Sequence, residues 1–366
     1  MIIGHGGNMA QAAARAGLDA ADITDMSSNT NPLGPMPGML EHLKNSMDAV
    51  TNLPEADSRA VVQAFAGMNG LDSASILAAG GTTQFIYSLP RLFPAGKALI
   101  LGPTYSDYAD ACAMNRVPVT WAFPEDGRDF AHDFDMIVKI AGDHDFVFLC
   151  NPNNPTGNLY APDTIQWFAK KCPNTVFVMD ESYLPFVAES SALTMAGTSL
   201  PNVLVLSSFS KIFKAPGLRI GFAIAPKGLK EKLETFQLPW SVGSLAQEAV
   251  LFAANNQDAA LAYIEKTAAF VAQERKTMED TVRGKTGITP YPGVTPFVLF
   301  HLPPGLKSQT VWEAMLQQGI LVRDCANFQG LGLQFVRVSL KNSQANARAA
   351  EMLVTLATDA GMKGGD

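Results

Sequence analysis

Short apolar runs, rich in β-branched and aromatic residues, recur between residues 98 and 225 of the 366-residue chain. Gly, Pro and Asp bound these runs, and uninterrupted apolar character is typical of strands buried on both faces. Helical patterns lie between several of them, such as TTQFIYSLPRLF from Thr82 and PDTIQWFAKKC from Pro162. This alternation predicts an α/β fold with a mostly parallel sheet between helices. The runs are ALILG, VPVTWAF, FVFLC, TVFVMD, VLVLSS and RIGFAIA.

The pattern changes after about Pro239. One long helical stretch runs from Ser244 to Val282, and it is followed by the strand-like VTPFVLFHL, the amphipathic VWEAMLQQ and the strand-like FVRVSL. We therefore expect a smaller α+β domain after the large one, because 366 residues are more than one domain usually contains. The predicted division is a loop-rich N-terminal segment packed on the small domain (1–45), a large ligand-binding domain (46–240), and a long connecting helix with the small domain (241–366).

Composition excludes several classes of partner. The formal net charge is −7, which disfavours nucleic acid and anionic membranes as partners. The N-terminal MIIGHGGNMAQ has no signal-peptide pattern, and no apolar run is long enough to span a bilayer. The four cysteines have no metal-ligand spacing, so we expect buried, reduced thiols and no metal. The chain is predicted to be cytoplasmic.

Polar motifs stand where the predicted strands end. NPNNPTG (151–157) follows FVFLC, DESY (180–183) follows TVFVM, and SFSK (208–211) follows VLVLS. Two further polar elements are Thr82–Thr83 after a Gly-Gly pair and Tyr105 after ALILG. Because ligands bind at the carboxyl ends of parallel strands, we expect these groups to converge on one site.

Pyridoxal 5′-phosphate is one ligand that explains the whole set. Its aldehyde needs an amine that can form a Schiff base, and Lys211 is the candidate. Its ring nitrogen needs a buried carboxylate that keeps it protonated, which Asp180 would supply. Asn154 and Tyr183 are suited to donate to its phenolic oxygen, and Tyr105 could stack on its ring. The predicted catalytic residues are Lys211, Asp180 and Tyr183.

The phosphate of this cofactor needs fixed hydrogen-bond donors. Backbone N–H groups at the start of a helix and the guanidinium of an arginine bind phosphate well. The residues expected to supply these contacts are Gly81, Thr82, Thr83, Ser208, Ser210 and Arg219. Each motif alone could be a turn or a helix cap, but their joint order along the chain favours the cofactor site.

NPNNPTG, DESY and SFSK followed by Arg219 resemble the fold-type-I pyridoxal-phosphate-dependent aminotransferases of class I/II, in order and spacing, over nearly the whole chain. The resemblance implies the same roles for the cofactor residues and a homodimer with its site at the two-fold interface. Leu53 stands before Pro54 where relatives usually carry a tyrosine that reaches the cofactor phosphate of the neighbouring subunit. That cross-subunit contact is therefore in question.

Two further segments resemble particular branches of the family. NPLG (31–34) and the paired arginines Arg323 and Arg337 also occur in histidinol-phosphate aminotransferases. The opening HGGN (5–8) and the R-x-C-x-N-F-x-G-L run from Arg323 are similar to L-threonine-O-3-phosphate decarboxylases of cobalamin biosynthesis. This resemblance implies decarboxylation of threonine phosphate to (R)-1-amino-2-propanol O-2-phosphate.

A substrate with a carboxylate and a phosphate needs two cation sites. The resemblance implies that Arg337 binds the carboxylate, and we expect Arg323 to face the phosphate. The residues expected near that phosphate are His5, Asn8 and Asn29. The alternatives are a surface salt bridge for Arg323 and simple loop packing for His5.

Several functions stay open on the sequence alone. Decarboxylation and transamination use the same cofactor residues, and a small rotation of the substrate decides between them. Serine phosphate and histidinol phosphate are possible substrates beside threonine phosphate. A non-catalytic binding protein with this fold is the third alternative, although such a protein would not need both Lys211 and Asp180.

Overall fold

The structure is a computed structural model that describes residues 6–125, 127–285 and 287–363. The strands in this part of the chain are β1 (Thr24–Asp25), β2 (Ile76–Ala79), β3 (Ala98–Leu101), β4 (Val119–Ala122), β5 (Phe146–Cys150), β6 (Val176–Asp180), β7 (Val203–Ser208), β8 (Gly221–Ile224), β9 (Thr289–Pro290), β10 (Phe297–His301), β11 (Ile320–Leu321), β12 (Arg323–Asp324) and β13 (Phe335–Ser339).

The α-helices lie mostly between these strands. Over the same residues they are α1 (Met9–Ala16), α2 (Met39–Asn45), α3 (Arg59–Asn69), α4 (Thr82–Ser88), α5 (Asp107–Met114), α6 (Phe134–Ala141), α7 (Pro162–Lys171), α8 (Ser190–Leu193), α9 (Phe209–Ile212), α10 (Lys227–Glu234), α11 (Ser244–Asn255), α12 (Gln257–Val282), α13 (Ser308–Gln317) and α14 (Ser343–Lys363).

A seven-stranded sheet forms the centre of the fold, with the strand order β2-β8-β7-β6-β5-β3-β4. Every neighbouring pair is parallel except those that involve β8, which runs antiparallel to both β2 and β7. All six predicted apolar runs form strands of this sheet, so the predicted α/β architecture is confirmed. Only the short helix α9 and one 3₁₀ turn separate β7 from β8, and the chain reverses direction there.

The central strands are buried on both faces, as their apolar composition predicts. Successive residues of β5 enter different cores, because side chains alternate across a sheet. Val147 and Leu149 belong to the core on one face, whereas Phe146, Phe148 and Cys150 belong to the core on the other. Because both faces of these strands are buried, polar side chains can cluster only at the strand ends.

The helical stretch after Ser244 is two helices, so the expectation of one continuous helix is wrong in this detail. Asn256 lies between α11 and α12 with φ −121° and ψ 43°, outside the helical region. Its side-chain amide donates to the carbonyl of Phe252 at 2.8 Å, which satisfies a group at the end of α11. Asparagine readily makes such local bonds, and here it ends one helix before the next begins.

A smaller antiparallel sheet with the order β12-β13-β10-β9 follows the long helix α12. The N-terminal segment reaches this part of the chain, because β1 pairs in parallel with β11 and the N–H of Ser339 donates to the carbonyl of Met26 at 2.8 Å. The division into parts at residues 45 and 240 stays a prediction. Among the described helices, none combines the length and apolar character needed to cross a membrane.

Candidate active site

One cavity at the carboxyl ends of the parallel strands is lined by every residue predicted to hold the cofactor. Those residues are Gly81, Thr82, Thr83, Tyr105, Asn154, Asp180, Tyr183, Ser208, Ser210, Lys211 and Arg219. They come from the ends of β5, β6 and β7 and from the loops that follow β2 and β3. The structure therefore brings together groups that are up to 138 residues apart in sequence (219 − 81). Their roles stay predictions, but their convergence is an observation.

Asp180 is the buried charge of this cavity, with 5% of its surface exposed. Its Oδ1 accepts hydrogen bonds from the backbone N–H of Ser182 at 3.0 Å and from the Ser182 hydroxyl at 2.5 Å. Its Oδ2 accepts from the hydroxyl of Tyr108 at 2.7 Å. Both oxygens are thus held in place, because a buried carboxylate needs donors to replace water.

Asn154 and Tyr183 each accept a hydrogen bond through their side-chain oxygen and keep a donor group for a ligand. The Oδ1 of Asn154 accepts a hydrogen bond from Arg337, which leaves its Nδ2 group as a donor. The hydroxyl oxygen of Tyr183 accepts from the Nδ2 of Asn29 at 3.0 Å, which leaves the hydroxyl proton available. Two donors at these positions suit an anionic phenolic oxygen.

Around Arg219 and the start of α4, two glycines allow close approach of neighbouring groups. A Cβ on Gly81, whose φ is +93°, would lie 2.8 Å from a guanidinium nitrogen of Arg219. A Cβ on Gly221 would lie 2.4 Å from the backbone nitrogen of Thr82, at the start of α4. The absence of side chains at both positions lets the helix start and the guanidinium meet, and this combination binds phosphate groups.

Arg219 has an unusual backbone conformation, and the hydroxyl of Ser210 already makes a hydrogen bond within the protein. Arg219 itself has φ +54°, a strained value for a residue with a side chain, and such strain concentrates at functional sites. The hydroxyl of Ser210 donates to the carbonyl of Ile220 at 3.1 Å. The predicted contact of Ser210 with phosphate would therefore require this hydroxyl to rotate. Ser208, at the end of β7, is buried and lines the same cavity.

Lys211 lies in the short helix α9 and lines the cavity. Desolvation lowers its pKa to about 8, and the positive charges of Arg337 and Arg219 act in the same direction, against the attraction of Asp180. A lysine with a lowered pKa is available as a neutral nucleophile near physiological pH. This is the property that attachment to an aldehyde requires.

The two arginines that were predicted to bind substrate occupy adjacent strands of the small sheet. Arg323 on β12 is the direct cross-strand partner of Arg337 on β13, so both side chains leave the same face. Arg337 is 5% exposed, donates to the carbonyl of Ser27 at 2.8 Å, and has a buried Nε without a hydrogen-bond partner among the described residues. Arg323 donates to the Oδ1 of Asn327 at 2.6 Å and lies over the ring of Phe328, neither of which is a carboxylate.

The other predicted substrate residues are distributed differently. Asn8 and Arg323 line a second cavity beside the start of α1, together with Ser27. Asn29 is buried and bridges the hydroxyl groups of Tyr183 and Ser339, so it lies on the side of the cofactor residues. His5 lies outside the described residues.

Sequence reasoning missed Tyr108 and Ser182, which hold Asp180. Tyr108 is fully buried in α5, and its ring stacks on Phe148 with centroids 4.7 Å apart. A second tyrosine three residues after Tyr105 was a signal, and the two rings lie edge to face with centroids 5.7 Å apart. Ser182 stands inside the DESY motif, where its hydroxyl can reach back to the preceding carboxylate.

The donor set fits pyridoxal 5′-phosphate at each of its functional groups. A lysine amine, a buried carboxylate, two donors for the phenolic oxygen and a cationic cradle at a helix start all face one cavity. Fold and site together define a protein of the fold-type-I pyridoxal-phosphate class.

The chain belongs to the class I and II aminotransferase family, whose pattern matches residues 21–353. It is 29% identical to the threonine-phosphate decarboxylase of Salmonella typhimurium strain LT2, covering 97% of this chain and 96% of that protein. It is also 29% identical to the histidinol-phosphate aminotransferase of Methanococcoides burtonii, covering 92% of this chain and 90% of that protein.

A solved structure shows the same fold. The L-threonine-O-3-phosphate decarboxylase of Porphyromonas gingivalis is 28% identical, covers 90% of this chain and 98% of its own, and superposes with a TM-score of 0.80. The chain is therefore a pyridoxal-phosphate-dependent enzyme of the aminotransferase family, and its cofactor is pyridoxal 5′-phosphate.

The lowered pKa of Lys211 can be measured in the cofactor-free protein. Labelling of Lys211 by an amine-selective reagent, followed by mass spectrometry, should increase with pH through a midpoint near 8, because the neutral amine is the reactive form. Exposed lysines should have midpoints near about 10.4. Arg219→Gln should move the Lys211 midpoint upward, whereas Arg348→Gln on α14 should not. A Lys211 midpoint equal to that of the exposed lysines would contradict the desolvated site.

Proposed function

We propose that this protein decarboxylates L-threonine O-3-phosphate to (R)-1-amino-2-propanol O-2-phosphate and CO2 in cobalamin biosynthesis. Relatives named threonine-phosphate decarboxylase support the reaction. The resemblance of HGGN (5–8) and of the run from Arg323 to Leu331 to that branch supports the pathway.

The observation that carries the proposal is the pairing of Arg323 with Arg337 across β12 and β13. Like charges directly opposite each other on a sheet are destabilising unless an anion lies between or beside them. Arg337 is buried, and within the part of the chain that the structure describes its Nε has no hydrogen-bond partner, so a bound anion would stabilise it. A substrate with a carboxylate on Cα and a phosphate on the adjacent carbon carries two anions at a spacing that two neighbouring guanidiniums can meet.

The roles that we propose for the substrate residues follow from position and charge. Arg337 orients the substrate carboxylate, because its guanidinium is already fixed by Asn154 and by the Ser27 carbonyl. Arg323 binds the phosphate, together with Asn8 at the start of α1, since both line the second cavity. These contacts would fix the rotation about the bond between the amine nitrogen and Cα.

When bound, pyridoxal 5′-phosphate supplies an aldehyde for the substrate amine and a sink for the electron pair released at Cα. Asp180, held by Tyr108 and Ser182, would keep a proton on the ring nitrogen. Lys211, whose lowered pKa suits proton transfer near neutral pH, would return a proton to Cα after CO2 has left. Asn154 and Tyr183 would hold the phenolic oxygen.

Transamination of histidinol phosphate is the second candidate, because the aminotransferase of Methanococcoides burtonii is as similar as the decarboxylase of Salmonella typhimurium. The two substrates differ at Cα, where histidinol phosphate carries a phosphorylated hydroxymethyl group in place of a carboxylate. That substrate brings one anion to the site, which the two guanidiniums would share, whereas threonine phosphate offers an anion to each of them.

Incubation with each substrate separates the two reactions. With threonine phosphate we expect release of CO2, formation of the amino-alcohol phosphate, and a cofactor that stays in its aldehyde oxidation state. With histidinol phosphate and an oxo-acid acceptor we expect little conversion. Stoichiometric pyridoxamine 5′-phosphate and a carbonyl product, without CO2, would instead establish an aminotransferase. No reaction with any amine would point to the binding protein.

Removal of the Arg323 guanidinium should weaken phosphate recognition selectively. A hydrogen bond to a charged group contributes about 1.5–3 kcal/mol, so Arg323→Ala should raise KM for threonine phosphate by roughly 10- to 100-fold. Turnover of unphosphorylated threonine should change little. Arg348→Ala, which removes an exposed arginine on α14, is the matched control. Equal losses for the two substrates would show that Arg323 does not bind the phosphate.

We also propose that the active form is a homodimer. Exposed apolar side chains occur in two segments, residues 40–53 and 238–240. The segments are linked by a hydrogen bond from the N–H of Trp240 to the carbonyl of Ala56. Contiguous exposed apolar surface is typical of a protein interface. The side chains are Leu40, Met47, Val50, Leu53, Leu238 and Trp240, each at least 50% exposed.

Substitution within this surface should separate the subunits. Leu53→Asp combined with Val50→Asp should convert a dimer to a monomer in sedimentation equilibrium, because two carboxylates would be buried without partners. Met136→Asp, at an equally exposed apolar residue on α6, should leave the mass unchanged. A wild-type protein that sediments as a monomer at micromolar concentration would refute the dimer.

A further inference from the structure

The helix that carries Lys211 is a single turn, Phe209–Ile212, whose last two carbonyl groups belong to Lys211 and Ile212. The Lys211 carbonyl accepts a local hydrogen bond from the N–H of Lys214 at 3.3 Å. A residue far away in sequence donates a hydrogen bond to each of these two carbonyls. The backbone N–H of Asn31 donates to the carbonyl of Lys211 at 3.1 Å, and the Asn31 side-chain amide donates to the carbonyl of Ile212 at 2.7 Å. The lysine backbone is thus held by the N-terminal segment.

Asn31 is buried, and both its side-chain nitrogen and its side-chain oxygen make hydrogen bonds. Its side chain has 0% exposure, and the Nδ2 group also donates to the hydroxyl of Thr267 on α12 at 2.9 Å. Its Oδ1 accepts from the N–H of Leu33 at 2.9 Å. The hydroxyl of Thr267 in turn donates to the carbonyl of Tyr263 at 2.8 Å. The amide therefore forms a rigid bridge between α9 and α12.

Alternate residues of the same segment contact the other parts of the site. The carbonyl of Ser27 accepts from Arg337 at 2.8 Å, and Asn29 donates to Tyr183 at 3.0 Å. Asn31 comes next in this series and contacts Lys211. One short stretch of backbone thus sets the spacing between the carboxylate-binding arginine, the tyrosine and the lysine.

We propose that Asn31 is a positioning residue that holds the Lys211 backbone so that its amine meets the cofactor aldehyde. The amine must lie in one position to reach the aldehyde carbon, and a misplacement of about 1 Å is enough to lower the rate of such a reaction by a large factor. Attachment joins Nζ to the aldehyde carbon and releases one water molecule. Phosphate and ring contacts do not depend on this bond.

The two oxidation states of the cofactor separate positioning from general stability. Pyridoxamine 5′-phosphate has the same phosphate and ring but no aldehyde, so it binds without attachment to Lys211. A shift of the lysine backbone should therefore weaken binding of the aldehyde form and leave binding of the amine form almost unchanged.

The experiment measures the dissociation constants of both forms with cofactor-free protein by isothermal titration calorimetry. Asn31→Ala should raise the dissociation constant of pyridoxal 5′-phosphate roughly tenfold, and that of pyridoxamine 5′-phosphate less than about twofold. Thr267→Val, which removes the anchor of the Asn31 amide together with the bond from the hydroxyl to the Tyr263 carbonyl, should change the ratio in the same direction by a smaller factor. Thr267→Val also decides the question if Asn31→Ala does not fold.

Asn202→Ala is the matched control. Asn202 is likewise buried and donates to the carbonyls of Ala169, Cys172 and Thr175, but it precedes β7 at the end of the sheet opposite Lys211. Its loss should lower the melting temperature and leave the ratio of the two constants unchanged. If the Asn31 and Thr267 variants also leave this ratio unchanged, or weaken both cofactor forms equally, the proposal is wrong.

Discussion

A charged group buried at the end of a central strand must be surrounded by donors, and Asp180 imposes that requirement on this site. Tyr108 from α5 and Ser182 from the following turn satisfy both of its oxygens. The ring of Tyr108 is packed on Phe148 of β5, so the donor that orients the carboxylate is part of the core. Charge, hydrogen bonds and packing are therefore coupled at the point where the cofactor ring nitrogen would lie.

The positive groups are organised around this negative one. Desolvation lowers the pKa of Lys211, and repulsion from the positive charges of Arg337 and Arg219 adds to the effect. A guanidinium deprotonates far less readily than an ammonium group, so among neighbouring cations a lysine is the group that gives up its proton. The result is an amine that loses its proton more readily than an ordinary lysine and that lies between two guanidinium groups.

The loop that follows β1 connects these groups although it contains almost no regular structure. Residues 25–31 accept a hydrogen bond from Arg337, support Tyr183 and bond the carbonyls of α9. Buried loops need partners for their backbone groups, and here those partners are site residues. The segment therefore links the small sheet to the lysine.

Most of the large sheet and the cofactor pocket could be predicted from sequence, whereas the supporting contacts could not. The apolar runs from Ala98 to Ala225 and the motifs at their ends are local patterns that reflect burial and turn chemistry. The break at Asn256 was missed because a single asparagine in a helical pattern is only a weak signal. Roles such as those of Tyr108 and Asn31 depend on partners 72 and 181 residues away, which no local pattern reveals.

The sequence by itself determined the strand pattern, the chemistry of the cofactor and the residues that would hold it, since each of these depends on residue type and order. Only the tertiary structure decided that Arg323 and Arg337 lie side by side, that Asp180 is held by Tyr108, and that Asn31 bonds the Lys211 helix. The physical reason is that strand register and buried hydrogen bonds join distant segments, and they form only when the whole chain has packed.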